Sequence, residues 1–588
     1  MKKIVDKSLT GKSWFVSDVN PEQVSAIQKE NSVSEIVASL MVARGIEKPA
    51  EFLNPSLHNQ LPDPNVVLGM NDAVRIASDS VLAGDKIAVF GDYDVDGITA
   101  AAVMVKYLLA LGLDDKVVWR LPHRDHEGYG LSKDAVDEFH KLNANLIITV
   151  DCGISAMQAA AHAKSLGLKL IITDHHNQGS PELPVADAII NPKRIGDESG
   201  LGMLAGVGVV FMFLIALNRN LRERGFFNDA KPEPDLKEFL DLVAIGTICD
   251  TMPLIGLNRA IVSTGLKVAN LWNRTGLRIL GDVAGCKHLD VYGAGFMLGP
   301  RLNASGRLGT ADDSMKLLLT DNEIEARELA EKLDGLNRQR KDIESGILQL
   351  SCEMVDAEGG DANCIFVCGE NWHGGVMGII AGRLKEKYYR PACIATIQPD
   401  GVAKGSGRSV PEVDLGGIIE EARAKGLLIE GGGHAAAAGF SLRVENIPAF
   451  KKHLEDSVAK IMKGREFAPL LKADLMIDAS AANLDMARSL SVLSPFGQDN
   501  PEPGFILSGA VIDWVEPVGT GHLRLGFTTA VGRLAGIGFG MLKTAAGEFF
   551  MNDANRGRKI VLFARVKENI YNGNSSVQLM VEDAYVED

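Results

Sequence analysis

Between residues 86 and 173, apolar runs of strand length alternate with helix-length amphipathic segments: "KIAVF", "ITAAAVMVKYLLALG", "KVVWRL", "NLIITV", "SAMQAAAHAKSLG" and "LKLIIT". That alternation predicts βαβ units around a parallel sheet. Upstream, residues 1–75 form a polar, Pro-punctuated leader with one helical patch, "VSEIVASLMVARGI", expected to pack on the domain that follows. The uncharged run "SGLGMLAGVGVVFMFLIALN" is long enough to suggest a membrane span. Its first half is glycine-rich loop and charged motifs flank it, so it reads as a buried core helix.

A charged segment of helical period, "DNEIEARELAEKLDGLNRQRKDIESGILQLSCEMV", has the solvated look of a helix joining two domains, with some arginines facing a cleft. Beyond it, "ANCIFVCGE" and "PACIATI" read as strands and "GVMGIIAGRLKEKYY" as a helix of a second α/β region. From about residue 470 the texture changes to apolar–polar alternation, as in "GFILSGAVIDWVE", "HLRLGFTTA" and "KIVLFARVKENIYNGNSSVQLMVEDA", with Asn572-Gly573 as a hairpin turn. A small closed β-barrel of OB type is the economical reading. The expected organisation is a leader at 1–75, an α/β catalytic domain at 76–320, a connecting helix at 321–358, a second α/β domain at 359–465 and the barrel at 466–588.

Length agrees, since 588 residues correspond to roughly three to five units. A formal charge of -15 excludes a surface coated with basic charge, so a nucleic-acid partner needs a local basic groove. The first twenty residues lack the apolar stretch of a secretory signal. The seven cysteines have no CxxC spacing and read as reduced thiols. A cytoplasmic monomer without membrane contact is expected.

The chemistry lies at the ends of the apolar runs. "KIAVFG" ends at Asp92, Asp94 and Asp96, "LIITV" at Asp151, and "LKLIIT" at Asp174, His175 and His176, while "EFLDLVAIGTIC" delivers Asp250. Ligands of parallel sheets bind beyond the carboxyl ends of strands. Six carboxylates and two imidazoles on one rim would repel one another if bare, and a cluster of divalent cations resolves the conflict. Any one of these acids alone would pass for a helix N-cap, but four clusters together do not. Oxygen-rich sites with one or two imidazoles suit Mg²⁺ or Mn²⁺, and two such ions suit hydrolysis of a phosphodiester or phosphoanhydride.

"GDYDVDGITA", "VDCGIS", "TDHH" and "GTICDTMPL", in this order, resemble the four motifs of the DHH phosphoesterase superfamily. "LPHRDHEGYGLS", "GPRLNASGRL", "WHGGVMGIIAGRLKEKYYRPACI", "KGSGRS", "GGGHAAAAGF" and "SPFGQDNPEPGF" are similar to segments of the RecJ single-stranded-DNA-specific exonucleases, from about residue 50 to the end. The second α/β region then corresponds to a DHHA1 domain facing the catalytic one. The resemblance implies a 5′→3′ exonuclease that releases 5′-mononucleotides in DNA recombination and repair. It further implies that Asp92, Asp94, Asp96, Asp151, His175 and Asp250 hold two Mn²⁺ or Mg²⁺ ions, with Asp151 bridging. His176 would sit at the scissile phosphate, and Asp174 would be a catalytic acid or orient an imidazole.

By the same resemblance, Arg124, Arg301, Asn303, Arg307, His373, Ser406, Arg408 and His434 would bind the substrate, the terminal 5′-phosphate and adjoining backbone above all. Arginine forks and the glycines of "KGSGRS" and "GGGH" suit an anion. In the barrel, Trp514, His522, Arg524, Phe527, Arg556, Arg558, Lys559 and Tyr571 are candidates for single-strand binding, although Phe527 and Trp514 at strand spacing are more often core. Asp499 stands where RecJ sequences often have glycine, and no further domain is expected after the barrel. Single-strand-binding protein and a RecQ-type helicase are partners implied by family alone. Two other readings stay open: a DHH enzyme for short oligonucleotides or cyclic dinucleotides, which would need neither barrel nor long helix, and a non-catalytic scaffold, which would have lost metal-binding acids.

Overall fold

The computed structural model describes residues 1–123, 128, 130–359, 362–465 and 467–587. The chain divides into two units, one of residues 55–343 with 495–500, the other of 1–54, 344–494 and 501–588. Strands β1 (Lys2–Val5) and β2 (Ser13–Val16) open the chain as an antiparallel pair belonging to the second of these.

The first unit is built on a parallel sheet of β3 (Ile87–Gly91), β4 (Val117–Arg120), β5 (Leu146–Val150), β6 (Lys169–Thr173) and β7 (Ala188–Ile190), in the order β4-β3-β5-β6-β7. Alternate residues feed two cores. Ile87, Val89, Leu146 and Ile148 pack with the helices Val95–Ala110, Gly206–Glu223 and Leu240–Cys249, while Ala88, Phe90 and Ile147 face a smaller core on the opposite side. Burial on both faces is why these strands show no apolar–polar alternation.

The chain runs from β3 outward to β4, then returns to the other side of β3 as β5, so the strand order reverses between β3 and β5. A crevice opens beyond the strand ends at such a reversal. Gly91 pairs with Val150 and Val150 with Thr173, which sets Asp92, Asp151 and Asp174 next in line on three adjacent strands.

The glycine-rich run ends in the helix Gly206–Glu223, whose first half is wholly buried, as a core helix requires. Among the described residues no helix is long and apolar enough to cross a membrane. The charged segment forms one helix, Glu323–Ala357, and the division between units falls inside it.

The second unit contains a mixed sheet of β8 (Ile365–Glu370), β9 (Ala392–Ile397), β10 (Val402–Arg408), β11 (Glu430–His434) and β12 (Ala437–Arg443), in the order β11-β12-β10-β9-β8. β13 (Leu470–Ala473) and β14 (Leu475–Asp478) lead to the barrel. The barrel strands are β15 (Phe505–Val518), β16 (His522–Thr529), β17 (Gly532–Gly538), β18 (Lys559–Tyr571) and β19 (Asn574–Val586). Their order β15-β16-β17-β19-β18 closes through β15–β18, with β17 and β19 parallel, and leaves the ring without a free edge. Asn572 and Gly573 take φ of 49° and 79°, the positive values a two-residue hairpin turn needs.

The leader, expected to belong with the catalytic domain, is divided between the two units. Residues 1–54 group with the barrel-containing unit and only 55–75 with the catalytic one. A two-stranded hairpin is marginal alone, and β2 gains a third strand by pairing with β13. Trp14, fully buried, packs edge-on against Phe563, and its indole N–H donates to Asp583 at 3.1 Å. The same buried carboxylate accepts from the Ser8 hydroxyl. All seven cysteines are free thiols.

Candidate metal centre

The turn after β3 holds each of its aspartates differently. Asp92 is buried and accepts from the Tyr93 N–H at 2.7 Å. Asp94 caps the helix Val95–Ala110, accepting from the Gly97 N–H at 3.1 Å. Asp96, in the first turn of that helix, accepts instead from Gly206 (2.6 Å) and Val207 (2.9 Å), the first N–H groups of another helix. The N-cap role therefore accounts for Asp94 alone. Gly97 permits the turn to fold back, because a Cβ there would lie 2.6 Å from the Asp92 Cα and Cβ.

Asp151 follows β5 with φ of 60°, a left-handed conformation that is costly for a residue with a side chain and is stored where surroundings enforce it. Asp174 follows β6 and is fully enclosed by donors: Ile154 N–H on Oδ2 (2.8 Å), and His175 N–H (2.7 Å), His176 N–H (3.0 Å) and the His176 ring Nδ1 (2.8 Å) on Oδ1. Burial pushes its pKa up, but the His176 bond, the His176 charge and the backbone N–H groups outweigh it and hold it below the usual value. Asp174 thus orients an imidazole.

His175 donates from Nδ1 to the Leu204 carbonyl at 3.0 Å, which turns Nε2 inward. There it lies 3.2 Å from Asp151 Oδ1, 3.6 Å from Asp250 Oδ2 and 3.8 Å from Asp96 Oδ2, buried and without a hydrogen-bond partner. Burial depresses the pKa of His175 to about 3, so the ring is neutral with a lone pair among three carboxylates. Burial first, then mutual repulsion, raises Asp92, Asp96 and Asp151 well above the ordinary carboxylate range and Asp250 to about 7.

Ligand atoms of Asp96, His175 and Asp250 lie within 4.8 Å of one another, as do those of Asp92, Asp94 and Asp151, and those of Asp151, His175 and His176. A buried imidazole lone pair aimed at oxygens that repel one another fits a divalent cation. Asp151 belongs to two of the three groups.

Other predicted residues have different places. Arg124 lies outside the described residues. Arg301, on the helix Gly299–Leu308, is tied to Asp334 (2.9 Å) and the Met297 carbonyl (2.7 Å). Asn303 on the same helix accepts the Val95 N–H at 3.1 Å and so steadies the Asp92–Asp96 turn. Arg307 lies one turn further along it, beside Gly306, where a Cβ would come 2.6 Å from the Tyr93 carbonyl oxygen.

In the second unit, Arg408 on β10 and His434 on β11 pair with Ala437 of β12 from either side, and Ser406 pairs with Gly439 two residues on. Gly378 lies close enough to Arg408 that a Cβ would stand 3.0 Å from Nη2, and His373 caps the turn leading to it, accepting from the Gly375 N–H at 3.1 Å. No carboxylate pairs with the half-buried Arg408 among the described residues, and burial lowers its pKa. In the barrel, Phe527 is fully buried and belongs to the core, which removes it as a stacking surface. Arg524 lies 5.7 Å over Trp514, His522 stands edge-on to the exposed Phe539 at 5.1 Å, and Tyr571 is exposed. Arg556, Arg558 and Lys559 are exposed around the start of β18.

Sequence reasoning missed the groups that support the rim: Leu204, Gly206 and Val207 in the glycine-rich run, and Asn191, whose Nδ2 donates to the His176 carbonyl at 2.9 Å. The one available signal was a glycine run preceding a helix with no capping side chain.

The DHH family N-terminal domain matches residues 86–247, the stretch that carries the sheet and every rim residue but Asp250, and the DHHA1 domain matches 361–460, so the fold and rim define a DHH-class metal-dependent phosphoesterase. The RecJ OB domain matches 473–583. The chain is 35% identical over 584 residues to the single-stranded-DNA-specific exonuclease RecJ of Bacillus subtilis (strain 168), covering 97% of this chain and 71% of that protein. It is 34% identical over 576 residues to the Escherichia coli (strain K12) protein of the same name, covering 94% and 96%. The crystal structure of RecJ from Thermus thermophilus in complex with Mn²⁺ aligns with a TM-score of 0.81 at 28% identity, covering 98% of this chain and 80% of that one. The chain belongs to the RecJ family.

Proposed function

We propose that this protein is a single-stranded-DNA-specific 5′→3′ exonuclease that hydrolyses phosphodiester bonds from the 5′ end and releases 5′-mononucleotides. The observation that carries the chemistry is the inward lone pair of His175 among the oxygens of Asp96, Asp151 and Asp250. Relatives named as single-stranded-DNA-specific exonucleases at 34–35% identity support the substrate.

When bound, two Mn²⁺ or Mg²⁺ ions supply the positive charge that activates water and stabilises the phosphoryl transition state. Asp96, His175 and Asp250 would hold one such ion, and Asp92, Asp94 and Asp151 the other. Asp174 keeps the His176 ring oriented, and His176 donates a hydrogen bond to a non-bridging oxygen of the scissile phosphate. Ser406, Arg408, His373 and His434 bind the 5′-phosphate, a role supported by an Arg408 charge that no acid neutralises among the described residues. Arg124 and Arg307 follow the backbone; Arg301 and Asn303, committed to Asp334 and Val95, act by holding their helix in place. Residues 76–320 carry the chemistry, 359–465 bind the 5′-phosphate, and the barrel at 466–588 binds single-stranded DNA through Trp514, Arg524 and His522.

Such an enzyme works with the chromosome in the cytoplasm, in recombination and repair, on strands supplied by a RecQ-type helicase and coated by single-strand-binding protein. The test is a 5′-phosphorylated single strand, labelled at either end, beside a matching blunt duplex, with Mn²⁺, Mg²⁺ or chelator. Metal-dependent release of mononucleotides from the 5′ end of the single strand alone is expected, and Arg408→Ala should blunt the preference for a 5′-phosphate. Turnover confined to dinucleotides or cyclic dinucleotides would move the function to small substrates.

A further inference from the structure

Asn258 lies in the first turn of the helix Gly256–Ala269 and is fully buried. Its Nδ2 donates to two backbone carbonyls, Met203 at 2.6 Å and Pro253 at 3.0 Å. Its Oδ1 is buried and accepts nothing. A buried acceptor left unmatched is a standing cost, so the residue is explained by its two N–H donors.

Both carbonyls belong to loops that shape one part of the metal centre. Leu204, next to Met203, offers the carbonyl that accepts the His175 Nδ1–H hydrogen bond, and Gly206 and Val207 just beyond hold Asp96. Pro253 lies three residues after Asp250. Asp96, His175 and Asp250, which these loops surround, form one candidate cation cluster, and His175 also belongs to another with Asp151 and His176. Asp92 and Asp94 stand instead after β3, which Asn258 does not bond, whereas Asp151, after β5, meets the same loop at Gly206.

We propose that Asn258 is a positioning residue for the Asp96–His175–Asp250 subsite rather than for the Asp92–Asp94 pair. One amide joins the loop that aims the imidazole to the loop that carries the third carboxylate, so the distance between these ligands is set before a cation arrives. The inference rests on the two-metal reading above.

The test uses the full chain freed of metal. Asn258→Leu removes both donors at similar volume. Asn270→Leu is the control: at the other end of the same helix, Asn270 also donates to two carbonyls, Leu266 at 2.7 Å and Leu289 at 2.8 Å, but supports no rim residue. Mn²⁺ binding is followed by calorimetric titration and by electron paramagnetic resonance. Parent and Asn270→Leu should take up two ions alike. Asn258→Leu should bind one of them about 10–100-fold more weakly, as loss of a supporting group around a metal typically does, and keep the other within about twofold. Raising Mn²⁺ should restore kcat while the KM for DNA stays as in the parent. Should Asn258→Leu fail to fold, Asn258→Ser keeps one donor and should weaken the same ion by a smaller factor. Equal weakening of both ions, or none, would overturn the inference. A parent that binds no Mn²⁺ would instead overturn the two-metal reading itself.

Discussion

Gly206→Ala asks the metal centre to accommodate one methyl group. Gly206 opens the helix Gly206–Glu223, where alanine is favoured over glycine by about 1 kcal/mol on propensity alone. Space acts in the other direction. A Cβ at 206 would stand 2.5 Å from the Asp151 Cβ and 2.6 Å from its Cγ, with Oδ1 nearer still, whereas ordinary contact begins at 3.4 Å. Asp151 is 1% exposed and has little room to swing away. One of the two must shift by about 1 Å, and overpacking of this kind costs about 1–3 kcal/mol, at least as much as the helix gains. If the helix yields, the Gly206 and Val207 N–H groups leave Asp96; if Asp151 yields, the carboxylate shared by two clusters is displaced. Misplacement by about 1 Å costs on the order of 100-fold in rate. Initial rates of mononucleotide release at saturating Mn²⁺ should therefore fall about 100-fold or more, while the thermal midpoint drops by only a few degrees. A variant within threefold of the parent rate would refute the argument that this contact sets the position of Asp151.

Asp174→Asn keeps the shape but removes the charge that orients His176; kcat should fall on the order of 10–100-fold, with strand affinity in chelator unchanged by filter binding. Equal kcat would leave Asp174 a structural role only. Mn²⁺ should raise the thermal midpoint of the catalytic unit, since it relieves repulsion among buried acids, and at 100 times its Kd the stabilisation is about 2.7 kcal/mol. No shift on adding Mn²⁺, or none on adding chelator to the loaded protein, would contradict the repulsion argument. Asp583→Ala leaves the Trp14 indole N–H and the Ser8 hydroxyl unsatisfied in a buried site, and at about 1–3 kcal/mol for each orphaned group the barrel-containing unit should lose about 3–4 kcal/mol in urea unfolding. A loss below about 1 kcal/mol would mean that β1 and β2 are not anchored there.

What could be read from the sequence was whatever is local along the chain. β3, β5 and β6 show as unbroken apolar runs because both faces are buried, and the residues after them must emerge at one rim because the strands are parallel. That is enough to collect Asp92, Asp94, Asp96, Asp151, Asp174 and the two histidines. The barrel was legible for the same reason: its strands alternate, and Asn572-Gly573 supplies a turn that few other dipeptides form. The leader was misplaced because a four-residue strand carries no mark of its partner, and the partner of β2 is β13, which begins only at Leu470.

The groups that decide how each rim residue is used come from far along the chain, which is why their roles were not legible. Asp96 is separated from its Gly206 donor by 110 residues, and Val95 from the Asn303 that steadies it by 208. Asn303 therefore reads in isolation as a polar residue available to substrate, whereas in the fold it holds the Asp92–Asp96 turn. Asp174 reads in isolation as a catalytic acid or an orienting group, and four donors on its two oxygens tie it to His176 and the backbone. His175 and His176, adjacent in sequence, are separated by their partners: a carbonyl on Nδ1 leaves the first a lone pair inside the rim, and a carboxylate on Nδ1 raises the pKa of the second against its burial. Two identical side chains are thus set apart by which acceptor reaches Nδ1, one left with a lone pair inside the rim and the other with its protonated form favoured.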